Sequence, residues 1–572
     1  MAIAGPWRSL VAMIKIGLLV LAVLALVPRP GRAQDNGTHT RPTTMAGRSA
    51  VYAPHGVIAT SQPLASAAGL AVMERGGNAI DAAVTAAAVL GLVEPMMTGP
   101  GGDVFAIIWS AKDHKLVGLN ASGRAGSLMT RETLLARGRT EVPHSSVEAV
   151  IVPGAVAGWQ ALLQRYGTIT LGQALKPAIQ LADSGFPVTP IIARSWRAAQ
   201  PLLEKDEGAR HTFLINGDHT PAAGEWFRNP DYAASLRMLA TEGPGAIYGG
   251  ALGQRIVERV HSLGGFLTVG DLKTIHPTWV EPISTTFKGY RVWELPPNNQ
   301  GVAVLEMLRM LEPDDLPALG YNSAAYIHRL VEAKKLAYAD LAQYVGDPDA
   351  MTVPPARLFA DDFIKQRRTQ LDAAVQATDR VDPGPAATMS ETIYLTVADK
   401  DGNMVSFINS LYDEFGSGIV APGTGFALED RGAGFTLQPG LANTVAPGKR
   451  PFHTLIPAFV TKDDQPYMSF GVMGGAMQPQ GHLQVLLDLL VFHMGLQEAL
   501  DQPRWRHLSG KKLGLEPAVP DSVRQALTAL GHEIVDDRTL VGEFGGAQAI
   551  RRLARGWEAA SDPRKDGEAV GY

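Results

Sequence analysis

The stretch that most constrains this chain is Thr392 to Phe426, TIYLTVADKDGNMVSFINSLYDEFGSGIVAPGTGF. Thr392, Tyr394 and Thr396 alternate with Ile393, Leu395 and Val397, the two-residue period of a half-buried strand. A polar turn, Asp399 to Asn403, separates this run from a second apolar run, Met404 to Tyr412, so the pair reads as a hairpin with Gly402 in the turn. The preceding Asp382 to Glu391 has little to bury and reads as a mobile tether. A tether that ends at a strand-opening Thr is what an N-terminal nucleophile needs, because a freed α-amine can serve its own hydroxyl as base. Most strand-opening Thr residues are only strand residues, and the pattern by itself leaves both readings open.

The rest of the chain adds motifs in order. Asn78 to Leu90 is an Ala-rich helix that is apolar nearly all round, hence one to be buried. Met96 to Asp103 is a glycine loop without the P-loop Lys or dinucleotide spacing, and a turn of close backbone approach is the simpler reading. Helical spacing recurs at Val152–Trp159, Leu171–Gly185, Ala251–Leu263, Tyr321–Tyr344 and Gly481–Met494. The charged residues of Glu332 to Pro348 read as a solvated face. Gly474-Gly475 follows a strand, where bare backbone N–H groups could meet a substrate carbonyl. Asp399, Asp401 and Asn403 have some calcium-loop spacing, but Met404 stands where that loop needs Gly, and a plain turn is preferred.

With 572 residues the chain can form one large intertwined domain or two or three smaller ones, and 46% hydrophobic with 19% charged content is that of a globular protein. A net charge of −5 and the lack of any basic run argue against a nucleic-acid partner. Without Cys there is no disulfide, thiolate metal site or Cys nucleophile. No metal or organic cofactor is suggested. Arg8 and Lys15 precede an apolar run, Ile16 to Val27, then Gly31 and Ala33 before Gln34: a secretory signal peptide over residues 1–33, or an uncleaved anchor that would put the protein at a membrane. Either way the expectation is export, to the periplasm or beyond.

The spacing from Thr392 to FGSGIVAPGTG, with GGNAIDAAV, LGLVEP, GPGGDVF, PGAVAGW, PPNNQG and the closing ASDPRKDGEAVGY, resembles the γ-glutamyltransferase (glutathione hydrolase) family of N-terminal nucleophile hydrolases. That resemblance covers nearly the whole chain after residue 45. It implies an α/β (α+β) four-layer αββα sandwich formed jointly by two autoprocessed chains, residues 34–391 (large) and 392–572 (small), which stay together as a heterodimer. It implies Thr392 as nucleophile, Ser410 as its supporting hydroxyl and Gly474 and Gly475 as oxyanion-hole glycines. His453 and Thr454 fall where two Ser residues hold the substrate carboxylate, and His453 is read either as a contact or as a packed histidine.

The departures concern glutamate recognition. Gly434 stands where the family has an acid for the α-ammonium. Arg431 and Tyr412 replace an amide or Glu and an Asn. The carboxylate-gripping Arg is missing from its usual place, with Arg124 two positions along as candidate replacement. The leading expectation is γ-glutamyl hydrolysis or transfer. The rival is an amidase for another acyl group, such as a dicarboxylate monoamide or glutaryl type, and the third is a silent binding protein on the same fold.

Overall fold

The strands around Thr392 pair as an antiparallel hairpin, Ile393–Ala398 against Met404–Ser410, with Ile393 opposite Asn409 and Ala398 opposite Met404. The protein is seen here as a computed structural model that describes residues 47–379, 392–535 and 543–572. The expected signal peptide and the tether before Thr392 lie outside the described residues. The hairpin sits in the middle of a seven-stranded antiparallel sheet whose spatial order is Glu568–Gly571, Val57–Thr60, Ile393–Ala398, Met404–Ser410, Asp103–Ser110, Lys115–Ala121 and Thr278–Val280. A second seven-stranded antiparallel sheet runs Val51–Ala53, Trp557–Ser561, Ala547–Arg552, Gln465–Val472, Ala458–Lys462, Tyr290–Glu294 and Ile283–Phe287. The fold is α+β, and each sheet takes strands from both sides of Thr392.

The half-buried expectation for the hairpin needs correcting: both its strands are buried at every position. Both faces of the sheet are covered, so polar and apolar positions alike lose solvent. Ile393, Leu395 and Val397 join an apolar cluster with helices Ala79–Val93, Ala155–Tyr166 and Leu171–Ser184. Tyr394 and Ala398 belong to a different cluster, shared with Phe459, Ile550 and Ala559 of the second sheet. Met468, Phe470 and Val472 of that second sheet then pack with helices Gly301–Leu311, Ala324–Tyr344 and Gln478–Leu490. Each fully buried aliphatic side chain here is worth about 1.5–3 kcal/mol of transfer free energy.

Helix Ala79–Val93 is buried along its whole length, as its Ala-rich composition predicts. Its start is locked twice. Asn78 and Asp81 form a reciprocal capping box, and Asp399 of the hairpin turn accepts the Ala79 N–H at 2.9 Å. Asp399 also accepts the N–H groups of Asp401 and Asn403, so its carboxylate closes the turn and ties it to the helix. In the glycine loop a Cβ on Gly102 would lie 2.3 Å from the Ser410 carbonyl oxygen, which is the close approach expected there.

The solvated face predicted for the long helix Ala324–Tyr344 is overturned: Glu332, Lys334, Lys335 and Asp340 are all buried. They are buried because each has a partner. Lys335 donates to Glu332 at 2.7 Å, Lys334 lies 3.7 Å from the centre of the Tyr338 ring, and Arg367 pairs with Asp340 at 2.7 Å. Among the described residues no helix is long and apolar enough to cross a membrane.

Candidate active site

Strand register carries three side chains to one end of the first sheet. With Ile393 opposite Asn409, Thr392 comes level with Ser410, and Ser410 is opposite Asp103 on the next strand. All three are buried. Thr392 Oγ1 donates to Ser410 Oγ at 3.1 Å. The Tyr412 N–H and Arg431 Nη2 donate to that same oxygen at 2.8 Å and 3.2 Å. Ser410 is therefore the hub that fixes how the Thr392 hydroxyl points.

Arg431 opens a short helical turn, Arg431–Gly434, and its side chain is fully buried. Its Nη1 donates to Thr454 Oγ1 at 2.8 Å, and its guanidinium carbon lies 4.1 Å above the Tyr412 ring. Tyr412 holds φ at +85°, a costly conformation for a bulky residue. Gln300 closes the circuit, donating to the Thr454 carbonyl at 2.7 Å and the Gly475 carbonyl at 2.8 Å. A continuous line of hydrogen bonds thus runs from Thr392 through Ser410, Arg431, Thr454 and Gln300 to Gly475. Gln300 lies in the PPNNQG string, but its role as a link was not read from it.

Gly474 and Gly475 form the turn between strand Gln465–Val472 and helix Gln478–Leu490, with φ of +111° and +56°. A Cβ on Gly474 would stand 3.1 Å from Gly545 Cα, so the turn has neither the dihedral nor the room for a side chain. Such a turn at a helix start can aim backbone N–H groups at a developing oxyanion.

His453 is fully buried, and both ring nitrogens are engaged. Nε2 lies 3.1 Å from Asp103 Oδ2, and Nδ1 receives the Leu455 N–H at 3.3 Å. The proton therefore belongs on Nε2. Burial, with Arg431 and Arg450 nearby, holds its pKa well below the usual histidine value. Burial also raises Asp103 to about 7, against the pull of Arg431 and the Gly123 and Gly154 N–H groups at 2.9 Å and 3.0 Å. Of the two expectations for His453, this geometry fits the packed one.

Arg124 is placed elsewhere. Its Nη1 donates to the Gly448 carbonyl at 2.9 Å and lies 3.3 Å from the buried Asp347 carboxylate, with Asp349 at 4.0 Å from Nη2. It does not join the hydrogen-bonded line that holds Thr392. Gly434, the position of the absent acid, is closed: a Cβ there would lie 2.5 Å from the Phe452 carbonyl oxygen.

Sequence reading missed the acids behind Arg431. Glu429 and Asp430 are fully buried, with pKa values pushed well up by burial and then by Asp103 and Asp413 respectively. Asp430 accepts the N–H groups of Ser145 and Asp413, and Asp413 binds His144 Nδ1 at 2.6 Å. His144, one-fifth exposed, also lies 5.6 Å ring to ring from Tyr412. Adjacency to Arg431 could have drawn attention to Asp430; nothing local marks His144. Among the described residues two groups, His144–Asp413–Asp430 and His328–Glu332–His532, bring potential metal-ligand atoms within 4.8 Å. Both are held together by internal hydrogen bonds, including His328 Nδ1 to His532 Nε2 at 2.9 Å and Lys335 to Glu332.

Comparison with known proteins places these features in context. The family model described as gamma-glutamyltranspeptidase matches residues 65–572. The chain is 37% identical over 520 residues to the glutathione hydrolase-like YwrD proenzyme of Bacillus subtilis, covering 89% of this chain and 97% of that protein. It is 34% identical over 530 residues to the oxamate amidohydrolase proenzyme of Klebsiella pneumoniae, covering 91% and 98%. The solved structure of cephalosporin acylase from Bacillus halodurans superposes with a TM-score of 0.86 at 40% identity, covering 93% of this chain and 98% of that one.

Proposed function

We propose, from the premise that this chain belongs to the gamma-glutamyltranspeptidase family of hydrolases, that it is a self-processing N-terminal-threonine amidohydrolase for an acyl group without an α-ammonium. The observation that carries this reading is at Gly434. The Phe452 carbonyl oxygen occupies the space that an acidic side chain would need, and Arg431 brings a cation to the same turn. A glutamyl ammonium would meet a guanidinium there instead of a carboxylate, at a cost of several kcal/mol in a buried site. The relatives named for glutathione and for other amides bracket this choice, and the site favours the second kind.

In the proposed reaction the precursor is cut before Thr392, which frees its α-amine. That amine takes the Oγ1 proton as Oγ1 attacks the substrate carbonyl. The oxyanion is held at the Gly474-Gly475 turn, and its collapse breaks the C–N bond while the proton passes to the leaving amine. Water then cleaves the Thr392 ester by the same route in reverse, releasing the acid. Ser410 and Tyr412 N–H keep the nucleophile oriented throughout.

The proposed mature form is two chains, 34–391 and 392–572, sharing a four-layer αββα order of helices, two sheets and helices. Support comes from the strand orders: both sheets combine strands from the two sides of Thr392, so neither piece can cover its apolar faces alone. The basic-then-apolar N-terminus supports export.

The test is a pair of anilides, γ-glutamyl and glutaryl p-nitroanilide, differing only in the α-amino group. The reading expects the glutaryl compound to be cleaved at least as well. A strict requirement for the amino group would return the protein to γ-glutamyl chemistry.

A further inference from the structure

Arg431 is a fully buried cation without an ion pair among the described residues. Asp103, Glu429 and Asp430 act on its guanidinium only through space, Glu429 accepting instead the Arg431 backbone N–H. Two of its nitrogens donate to neutral hydroxyls, Thr454 Oγ1 and Ser410 Oγ, and its Nε is buried without any hydrogen-bond partner. A guanidinium presents five donors, so this one keeps unused capacity in a place where burying an unpaired charge is expensive. The expense makes sense if a substrate anion completes the pair. Arg124 differs in being paired: its Nη1 meets the Asp347 carboxylate and the Gly448 carbonyl.

Distance limits where the anion can sit. Arg431 Nη2 and Thr392 Oγ1 flank Ser410 Oγ at 3.2 Å and 3.1 Å. The two atoms are thus at most about 6 Å apart, while an attacking oxygen needs about 3 Å to its carbonyl carbon and a charge-assisted N–H···O about 2.8 Å. One small acyl group lying beside the two atoms can make both contacts, with its carboxylate at Arg431 and its amide carbonyl at Thr392.

We propose that Arg431 is the carboxylate receptor of the acyl site, and that the substrates are monoamides of small dicarboxylic acids. This rests on the reading of Thr392 as nucleophile for an acyl group without an ammonium. Arg431 binds the free carboxylate while Thr392 attacks the amide carbonyl at the other end of the same acyl group.

The experiment uses the mature two-chain enzyme, wild type beside Arg431→Met and Arg431→Lys, with p-nitroanilides of oxalic, succinic and glutaric acids, neutral butyryl p-nitroanilide and γ-glutamyl p-nitroanilide. For wild type, kcat/KM should be about tenfold or more higher on the dicarboxylic anilides than on the butyryl compound. Arg431→Met should lower kcat/KM on the carboxylate-bearing anilides by about 10- to 100-fold more than on the butyryl compound, and Arg431→Lys should fall between. Butyryl cleavage equal to succinyl in wild type, or an equal loss on both in Arg431→Met, would overturn the proposal. Should Arg431→Met fail to mature, succinate must still inhibit wild type competitively and succinamide must not; equal inhibition by both overturns it. Preference for the γ-glutamyl anilide is a separate failure, that of the underlying reading.

Discussion

Thr392 and Ser410 face each other across the end of one hairpin, Oγ1 to Oγ at 3.1 Å, because the register that sets Ile393 opposite Asn409 brings them level. Ser410→Ala removes the acceptor that orients the nucleophile and the hydroxyl that receives Arg431. It should lower kcat by about 1.5–3 kcal/mol of barrier, roughly 10- to 100-fold, with the variant still folded. Ser410→Thr keeps the oxygen and should keep most of the rate. Steady-state kinetics on the two mature variants makes the comparison.

Gly434→Asp tests whether the lost acid can be restored. The Phe452 carbonyl oxygen, 2.5 Å from any Cβ at this position, must move to admit it. The substitution should cost about 1–3 kcal/mol of stability and confer no γ-glutamyl preference. Thermal unfolding and the paired anilide assay check both parts.

His453 is the residue for which sequence left two roles. Held between Asp103 and the Leu455 N–H, it should behave as structure. His453→Ser, which removes a buried hydrogen-bond partner of Asp103, should lower unfolding free energy by about 1–3 kcal/mol in urea titration. In the fraction that remains folded KM should hold. A raised KM with unchanged stability would make it a substrate contact.

His144 supplies a pH dependence. Burial opposes its charged form, but the hydrogen bond and charge of Asp413, with Asp430 and Glu141, prevail and raise its pKa above the ordinary 6.5. A histidine with a raised folded pKa contributes stability that is fully present below its unfolded pKa and is lost as pH rises through the folded one. The difference in melting temperature between wild type and His144→Gln should therefore be largest below pH 6.5 and shrink as pH rises past it. A constant difference would mean that the charge is irrelevant.

Much of the site was legible because local chemistry announces itself. The alternation around Ile393 to Val397, the polar turn at Asp399 and the Gly474-Gly475 pair after a strand each follow from rules that act over a few residues. What was not legible was set by partners distant in sequence. The charges of Lys334, Lys335 and Asp340 read as solvated because their partners His507, Thr378 and Arg367 stand outside that helix. Arg124 stood as the candidate replacement for the carboxylate-gripping Arg, and the Asp347 that pairs with it lies more than two hundred residues away. The blocked space at Gly434 depends on where Phe452 returns, which no motif encodes.

The central claim is that Thr392 becomes an N-terminal nucleophile, and chain cutting tests it most directly. Purified wild type and Thr392→Ala should be compared by intact mass and N-terminal sequencing. The account predicts two wild-type fragments, the smaller beginning at Thr392, and a single uncut chain for Thr392→Ala. A folded, uncut wild-type chain, or a Thr392→Ala protein that is cut and active, would contradict it.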